Sequence, residues 1–287
     1  MKILVTGATG FVGKHVINEL LKYDHQITGT TRNTDSHISS SKLHYSFLDI
    51  DNLSSAENYF SHFDKPDLLI HLAWQGLPNY KSFFHFEKNL MLHYSFLKNM
   101  VSNGLKKLVV TGTCFEYGMK EGCLSEEMIT DPQNSYALAK DTLRKFLFEL
   151  QKKHEFYCKW VRLFYVYGEG QNPNSLLSQL QTALNNRDKE FKMSGGEQER
   201  DYLPIEKVAE YIVAISLREK ISGIINCCSG KPIKVKQLVE NYLKDNKQEI
   251  KLNLGYYPYT DYEPMSFWGD DTKLKKILIN ERSDTGI

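Results

Sequence analysis

No stretch of the 287 residues is long and apolar enough for a membrane-crossing helix, so none is expected. The run after Met1-Lys2 reaches glycine too soon for a secretory signal peptide, which points to the cytoplasm. Charge of one sign is missing as well: 36 Lys and Arg against 35 Asp and Glu leave a net +1. Nothing attracts nucleic acid or an anionic membrane in bulk, so any phosphate must be recognised locally. The five cysteines (Cys114, Cys123, Cys158, Cys227, Cys228) are odd in number and lack metal-ligand spacing. That argues against a disulfide framework or a metal site and suits a reducing compartment. No repeat or low-complexity block interrupts the chain. Asn52-Leu53-Ser54 matches a glycosylation sequon that has no meaning without secretion.

What is present is an ordinary globular composition, 41% hydrophobic and 25% charged, sufficient for one large core or a large and a small one. Apolar, β-branched runs fall at Ile3–Val5, Gln26–Thr31, Leu43–Leu48, Leu68–Ala73, Lys107–Thr111 and Trp160–Phe164. Helical patterns lie between them at Gly13–Leu21, Ser54–Phe63, Phe83–Met100 and Ser135–Lys153. This alternation predicts an α/β fold with a doubly wound parallel sheet. After Tyr167-Gly168 the rhythm changes to a loop, a helix over Leu176–Leu184 and a turn at Ser194-Gly195-Gly196-Glu197, an expected lid. A helix at Ile205–Leu217 and a strand at Ile224–Cys228 then return to the sheet. The expected division is a dinucleotide-binding domain over 1–167 with returns at about 203–228, and a smaller, partly interleaved C-terminal lobe from 168–202 and 229–287 that binds substrate.

The first strand breaks into Thr6-Gly7-Ala8-Thr9-Gly10-Phe11-Val12-Gly13 before helical periodicity resumes at Val16, Ile17, Leu20 and Leu21. Three glycines at this spacing permit a tight turn, close backbone approach to a pyrophosphate and close packing of helix on strand, while the free N–H groups at the helix start attract the anion. Glycine triplets also occur by chance. The strand-turn-helix context gives this one weight.

Tyr136 and Lys140 stand four residues apart and so share one helix face. A phenol exchanging a proton at neutral pH must be favoured by roughly 3–4 kcal/mol over its ordinary state. A cation at about 5 Å in a medium of effective dielectric about 20 supplies roughly 3 kcal/mol. Thr113 ends the strand at Leu108–Thr113, placing a hydroxyl at the carboxyl edge where open sheets hold ligands. Alone, Tyr-x-x-x-Lys is more often an exposed helical pair. The upstream glycine turn and the strand-end hydroxyl turn the balance toward a nicotinamide enzyme acting on an alcohol or ketone.

With these pieces in hand, the chain resembles the extended short-chain dehydrogenases/reductases with a Rossmann sheet, in the branch acting on nucleotide-activated sugars. The resemblance covers nearly the whole length. It rests on the glycine turn, Asp49-Ile50, Ile70-His71-Leu72-Ala73, Thr113 within Thr111–Gly118, Tyr136 with Lys140, Arg162–Gly168 and Arg200-Asp201-Tyr202-Leu203-Pro204. It implies catalysis by Thr113, Tyr136 and Lys140. It implies cofactor contacts from Gly7, Thr9, Gly10, Phe11, Val12, Gly13, Arg32, Asp49, Ile50, Leu72, Ala73, Tyr136 and Lys140. It implies substrate contacts from Gln75, Thr113, Cys114, Phe115, Tyr165 and Arg200, whose planar fork suits phosphate oxygens. Tyr165 stands where many relatives carry asparagine, a departure from the pattern. The helices Phe83–Met100 and Ser135–Lys153 correspond to a four-helix interface, implying a homodimer.

The second strand ends Gly29-Thr30-Thr31-Arg32-Asn33 without the acid that usually binds a ribose 2′-hydroxyl, and Asp35 lies too far along. Arg32 can meet a 2′-phosphate, which favours NADP(H) over NAD(H). Dehydratases of the family place Asp-Glu after the threonine, whereas this chain has Cys114 and Phe115. Glu116 falls one place late, on the other face by strand alternation. The epimerising reductases place a cysteine where Phe115 stands and use a later histidine, and none follows His154. What remains is hydride transfer with one proton. The expectation is NADPH-dependent reduction of a nucleotide-linked 4-keto-6-deoxyhexose, dTDP- or CDP-linked, in bacterial deoxysugar and surface-polysaccharide synthesis. The alternatives are a 4-epimerase with tightly bound NAD and a non-catalytic NADP-binding sensor.

Overall fold

The computed structural model describes residues 1–33, 40–219 and 221–284; Asp35 lies outside them. Seven strands form the central sheet: β1 (Lys2–Thr6), β2 (Gln26–Thr31), β3 (Leu43–Phe47), β4 (Leu68–His71), β5 (Lys107–Thr113), β7 (Tyr157–Leu163) and β11 (Gly223–Cys227). All pair in parallel, in the order β11-β7-β5-β4-β1-β2-β3. The order reverses between β1 and β4, so the carboxyl ends of those strands open a crevice. The expected doubly wound sheet is therefore observed. Every run read as a strand contributes to it, although β7 begins three residues before the expected Trp160.

Strand alternation explains the two helical layers. Ile3, Val5, Leu68, Ile70, Val109 and Val161 face a layer built by α1 (Phe11–Leu20), α6 (Ile205–Leu217) and α8 (Thr272–Asp284). Leu4, Leu69, Leu108, Val110 and Trp160 face the opposite layer, built mainly by α3 (Leu90–Ser102) and α4 (Ser135–Leu150). Each such side chain taken from water contributes about 1.5–3 kcal/mol, and both faces of the sheet are covered, as parallel strands require.

Two helices differ from the sequence pattern. The expected helix over Ser54–Phe63 shrinks to one turn, α2 (Tyr59–His62), because Asn58 caps it by accepting the Ser61 N–H at 3.0 Å. The Phe83–Met100 pattern divides into a wide turn at His85–Asn89 and α3.

The remaining strands are short: β6 (Gly122–Leu124), β8 (Tyr165–Tyr167), β9 (Glu190–Lys192), β10 (Glu199–Pro204), β12 (Pro232–Lys234), β13 (Lys251–Asn253) and β14 (Phe267–Gly269). β12, β10 and β8 form one small sheet; β9 pairs with β13, and β6 with β14. A separate core of Leu177, Leu180, Phe191, Leu238, Val239 and Leu243 packs α5 (Leu176–Asn185) and α7 (Val235–Asp245) onto these strands. At the sheet's other end the buried Lys159 ammonium donates to the carbonyls of Ile215 and Ser216, at 2.7 and 3.0 Å, and to that of Arg218, closing the C-terminus of α6. No helix of the described residues is long and apolar enough to cross a membrane.

Candidate active site

A cleft of about 550 Å³ opens at the carboxyl ends of β1, β2 and β4. Gly7, Thr9 and Gly10 form one wall, Thr30, Thr31 and Arg32 another, with Leu48, Ile50 and Asp51 beside them and Leu72, Ala73, Trp74 and Gln75 opposite. The glycines are required by contact. A Cβ on Gly13 would stand 2.0 Å from the Gly7 carbonyl oxygen. Gly7 has φ +70°, and a Cβ there would meet the Ala73 backbone at 2.8 Å. Gly10, at the N-cap of α1, has no side chain to fill the first amides, so they remain directed at an anion.

This donor set fits a dinucleotide: bare helix amides for a pyrophosphate and apolar Leu48 and Ile50 for a base. Arg32 is exposed at the rim. The side chains of Phe11 and Val12 pack on the core, which leaves their backbone at the start of α1 beside the cleft. Asp49 directs its carboxylate to its own turn, accepting the Asp51 N–H at 3.1 Å and the Asn52 amide at 2.6 Å, and Asp51 lines the cleft instead.

The floor beside Trp74 is a buried chain of hydrogen bonds. Thr6 Oγ1 meets His71 Nδ1, His71 Nε2 meets His93 Nδ1, and His93 Nε2 meets Gln75 Oε1, each at 2.8 Å. With the Gln75 oxygen as acceptor, each imidazole donates from Nε2 and both rings are neutral. Burial, reinforced by the Lys140 charge, holds His71 down at about 3, and His93 also lies well below the usual histidine range. Gln75 still lines the cleft, with its side-chain oxygen committed to His93.

Asn134 starts α4 by accepting the Ala137 N–H at 2.9 Å, and the Tyr136 N–H donates to the Tyr80 carbonyl at 2.9 Å. The helix thus sets Tyr136 and Lys140 on one face. Thr113 ends β5 beside this helix, near enough to Tyr136 to favour its ionised form. The Lys140 ammonium stands 4.5 Å from the Trp74 ring centroid and 5.4 Å from that of Trp160. Trp74 also meets Tyr136 edge-on at 6.1 Å. Tyr136 and Lys140 therefore gather around Trp74, which lines the cleft, with Thr113 at the end of the adjacent strand.

Their electrostatics differ from expectation. Burial pushes the Tyr136 phenol above its ordinary value, with Tyr80 and Glu116 adding to the rise and the Thr113 contact opposing it. Burial also lowers Lys140 to about 7, against the pull of Glu116. Lys140 rests on aromatic rings and is itself desolvated, so the protein's own charges do not acidify the phenol.

Glu116 lies not in the strand but in the 3-10 turn Cys114–Tyr117, so strand alternation does not govern it; its carboxylate turns back to accept the Thr113 N–H at 2.9 Å. Its carboxylate accepts the Trp160 indole N–H at 2.9 Å and Arg162 Nε at 2.7 Å, entirely buried. Phe115 meets Tyr80 at 5.2 Å and both Tyr165 and Tyr262 at 6.1 Å, forming an aromatic wall. Cys114 is buried among Tyr117, Phe164, Cys228 and Phe267, which pushes its thiol up. It is packing rather than an open contact. Arg200 is 2% exposed, and its guanidinium pairs with Glu263 at 3.1 Å, with Tyr165 donating to the same carboxylate.

Trp74, Tyr80, Tyr262 and Glu263 were missed from the sequence. Trp74 directly follows the Ile70–Ala73 strand end and was within reach of that signal. The others lie in irregular segments that carry no periodicity.

Comparison with known proteins follows the same lines. Residues 3–228 match the model of the NAD dependent epimerase/dehydratase family. The chain is 32% identical over 273 residues to the dTDP-6-deoxy-L-talose 4-dehydrogenase (NAD(+)) of Aggregatibacter actinomycetemcomitans, covering 94% of this chain and 99% of that one. It is 27% identical to the GDP-6-deoxy-D-talose 4-dehydrogenase of the same organism, over 100% and 94% of the two chains. The UDP-glucuronic acid 4-epimerase of Bacillus cereus, solved with UDP-glucuronic acid and NAD, superposes with a TM-score of 0.84 at 24% identity, covering 97% and 93% of the chains, and so shares the fold. A matched model spanning most of the chain, and a relative alike from end to end, place this protein in the NAD dependent epimerase/dehydratase family.

Proposed function

We propose that the protein interconverts ketone and alcohol at C4 of a nucleotide-linked 6-deoxyhexose, working as a 4-ketoreductase in bacterial deoxysugar and surface-polysaccharide synthesis in the cytoplasm. The observation that carries this reading is the packing of Tyr136 and Lys140, one helical turn apart, against Trp74 in the wall of a cleft that fits a dinucleotide, with Thr113 at the end of the neighbouring β5. A nicotinamide, when bound in the cleft, would supply the hydride for C4. Tyr136 donates the proton to the developing alkoxide, and Thr113 orients that oxygen. A phenol raised by burial is fully protonated at neutral pH, which suits an acid that acts in reduction. Lys140 would hold the nicotinamide ribose, through an amine that burial leaves only partly charged at neutral pH. Phe115 and Tyr165 line the sugar side, and 168–202 with 229–287 form the substrate lobe.

Arg32 at the end of β2 supports NADP(H) through a 2′-phosphate contact. The similar talose 4-dehydrogenase carries NAD(+) in its name, so the two cofactors are tested together. The purified protein is mixed with NADPH or NADH and a panel of dTDP-, CDP- and GDP-linked 4-keto-6-deoxyhexoses, and consumption of reduced cofactor is followed. Sugar interconversion without net cofactor consumption would replace this reading by a 4-epimerase. Cofactor binding without turnover on any sugar would replace it by a sensor.

The same reading extends to assembly. α3 and α4 leave Met91 and Leu138 exposed, with Phe146 beside them packed on Tyr94 at 5.2 Å. A second copy of the chain covers this face, and light scattering at micromolar concentration tests it.

A further inference from the structure

Thr6, His71 and His93 are fully buried beneath the cleft, where apolar side chains would carry no desolvation cost. They come from three elements that meet where the strand order reverses: the end of β1, the end of β4 and α3. Every nitrogen of both rings is used, Thr6 Oγ1 with His71 Nδ1, His71 Nε2 with His93 Nδ1, and His93 Nε2 with Gln75 Oε1. Stacking holds the rings as well, His71 on Phe96 at 5.9 Å and His93 on Trp74 at 4.6 Å between centroids. The chain is open at one end. Gln75 is fixed through its backbone carbonyl, which accepts the Asn89 amide at 3.0 Å, and through Oε1. Its Nε2 has no partner among the described residues, and Gln75 lines the cleft beside Trp74.

A hydrogen-bonded chain of two histidines can run in either direction, and the direction decides which end of the amide is left for a ligand. With Thr6 donating, each ring accepts at Nδ1 and donates from Nε2, the tautomer that a neutral imidazole side chain favours in water. The opposite direction puts both protons on Nδ1, against that preference twice over. In the favoured direction the Gln75 oxygen is spent inside the wall, and both N–H bonds of its amide remain.

We propose that His93 is a positioning residue: with His71 and Thr6 it pins the Gln75 amide so that its N–H donors face the cleft and hold an acceptor oxygen of the bound ligand. The chemistry that fits is an uncharged hydroxyl or carbonyl oxygen, present both at the nicotinamide end of a dinucleotide and on a sugar. The proposal rests on the dinucleotide-cleft and nucleotide-sugar readings above, and adds to them a buried residue that sets how firmly a ligand is held without touching it. An amide free to turn presents donor and acceptor alternately, and must be ordered each time a ligand binds.

Two measurements test it. In ligand-free wild type, long-range proton–nitrogen NMR of the imidazoles is expected to show His71 and His93 both as Nε2–H tautomers. An Nδ1–H tautomer at either position turns the chain round and overturns the proposal. Gln75→Met keeps the length and removes the donor, and His93→Phe keeps the ring and its stack. These and the double variant are compared with wild type by fluorescence titration of NADPH and NADH and by KM for a 4-keto sugar. Gln75→Met is expected to weaken one of these ligands about three- to tenfold. Weaker dinucleotide binding assigns the oxygen to the cofactor, and a raised KM with dinucleotide binding unchanged assigns it to the sugar. His93→Phe is expected to weaken the same ligand by a smaller factor, and to add nothing once Gln75→Met is present. A merely structural His93 would lower Tm and weaken neither ligand, or weaken them equally in both backgrounds. Either result overturns the proposal, as does a Gln75→Met protein that binds both ligands like wild type. Wild type that binds neither dinucleotide overturns it together with the cleft reading. Wild type that binds a dinucleotide but reduces no sugar overturns the nucleotide-sugar reading alone, and the dinucleotide titrations then decide the role of His93.

Discussion

The Glu116 carboxylate accepts the backbone N–H of Thr113 at 2.9 Å, while the Thr113 hydroxyl accepts that of Phe115 at 3.3 Å, so the two residues cap one tight turn from both sides. The proposed substrate-orienting hydroxyl is thereby anchored to a buried carboxylate that also holds Trp160 and Arg162. Glu116→Ala leaves Arg162 charged and unpaired in the core. The expected loss is about 3–5 kcal/mol in urea unfolding, with activity falling alongside. A stability within experimental error of wild type would show that Arg162 has another counter-charge.

Tyr136→Phe removes the proposed acid and keeps the ring. Turnover in ketone reduction is expected to fall about 10²–10⁴-fold with NADPH affinity unchanged, as read by stopped-flow kinetics and fluorescence titration. Because burial raises the phenol, Tyr136 is expected to keep its acid form throughout the neutral range, so any fall in wild-type rate near about pH 7 belongs to Lys140. A rate that already declines well below about pH 7, where both groups are protonated, would contradict this.

Lys140 makes a prediction about stability. Its ammonium titrates at about 7 in the folded chain against an ordinary 10.5, so between those values the unfolded chain binds more protons. Stability from this group rises with pH across that window and is lowest below about 7. Lys140→Met is therefore expected to be inactive yet more stable by about 1–3 kcal/mol at neutral pH, with a larger gain near about pH 6 than near about pH 9. A gain that is the same at both values would mean that Lys140 is not desolvated in the folded protein.

Arg32→Ala tests the cofactor assignment. If Arg32 holds a 2′-phosphate, kcat/KM with NADPH falls about tenfold or more while that with NADH changes little. Equal effects on both would assign Arg32 to the rim and return the preference to NAD(H).

The sequence carried the sheet because its strands are short, apolar runs separated by amphipathic helices, a pattern set by burial on both faces. Thr113, Tyr136 and Lys140 were legible because their spacing alone puts them on one strand end and one helix face. Lys140 shows where spacing stops: position placed it beside Tyr136, but Trp74 and Trp160 beneath it decide its charge. Arg200 shows the same at longer range. Its fork was readable from residue type, whereas Glu263 lies 63 residues away in an irregular segment, where no period ties the two together.

β14 pairs with β6, residue Phe267 beside Gly122 and Gly269 beside Leu124, and the small cluster under the aromatic wall includes Phe267. The last tenth of the polypeptide is thus stitched to a loop made before its midpoint. The same tail carries α8, whose Leu274 and Ile277 share a core with α1 behind the glycine turn. During synthesis neither the aromatic wall nor the layer behind the glycine turn can be finished while the ribosome still holds the tail, so a nascent chain would gain both sides of its cleft together and late.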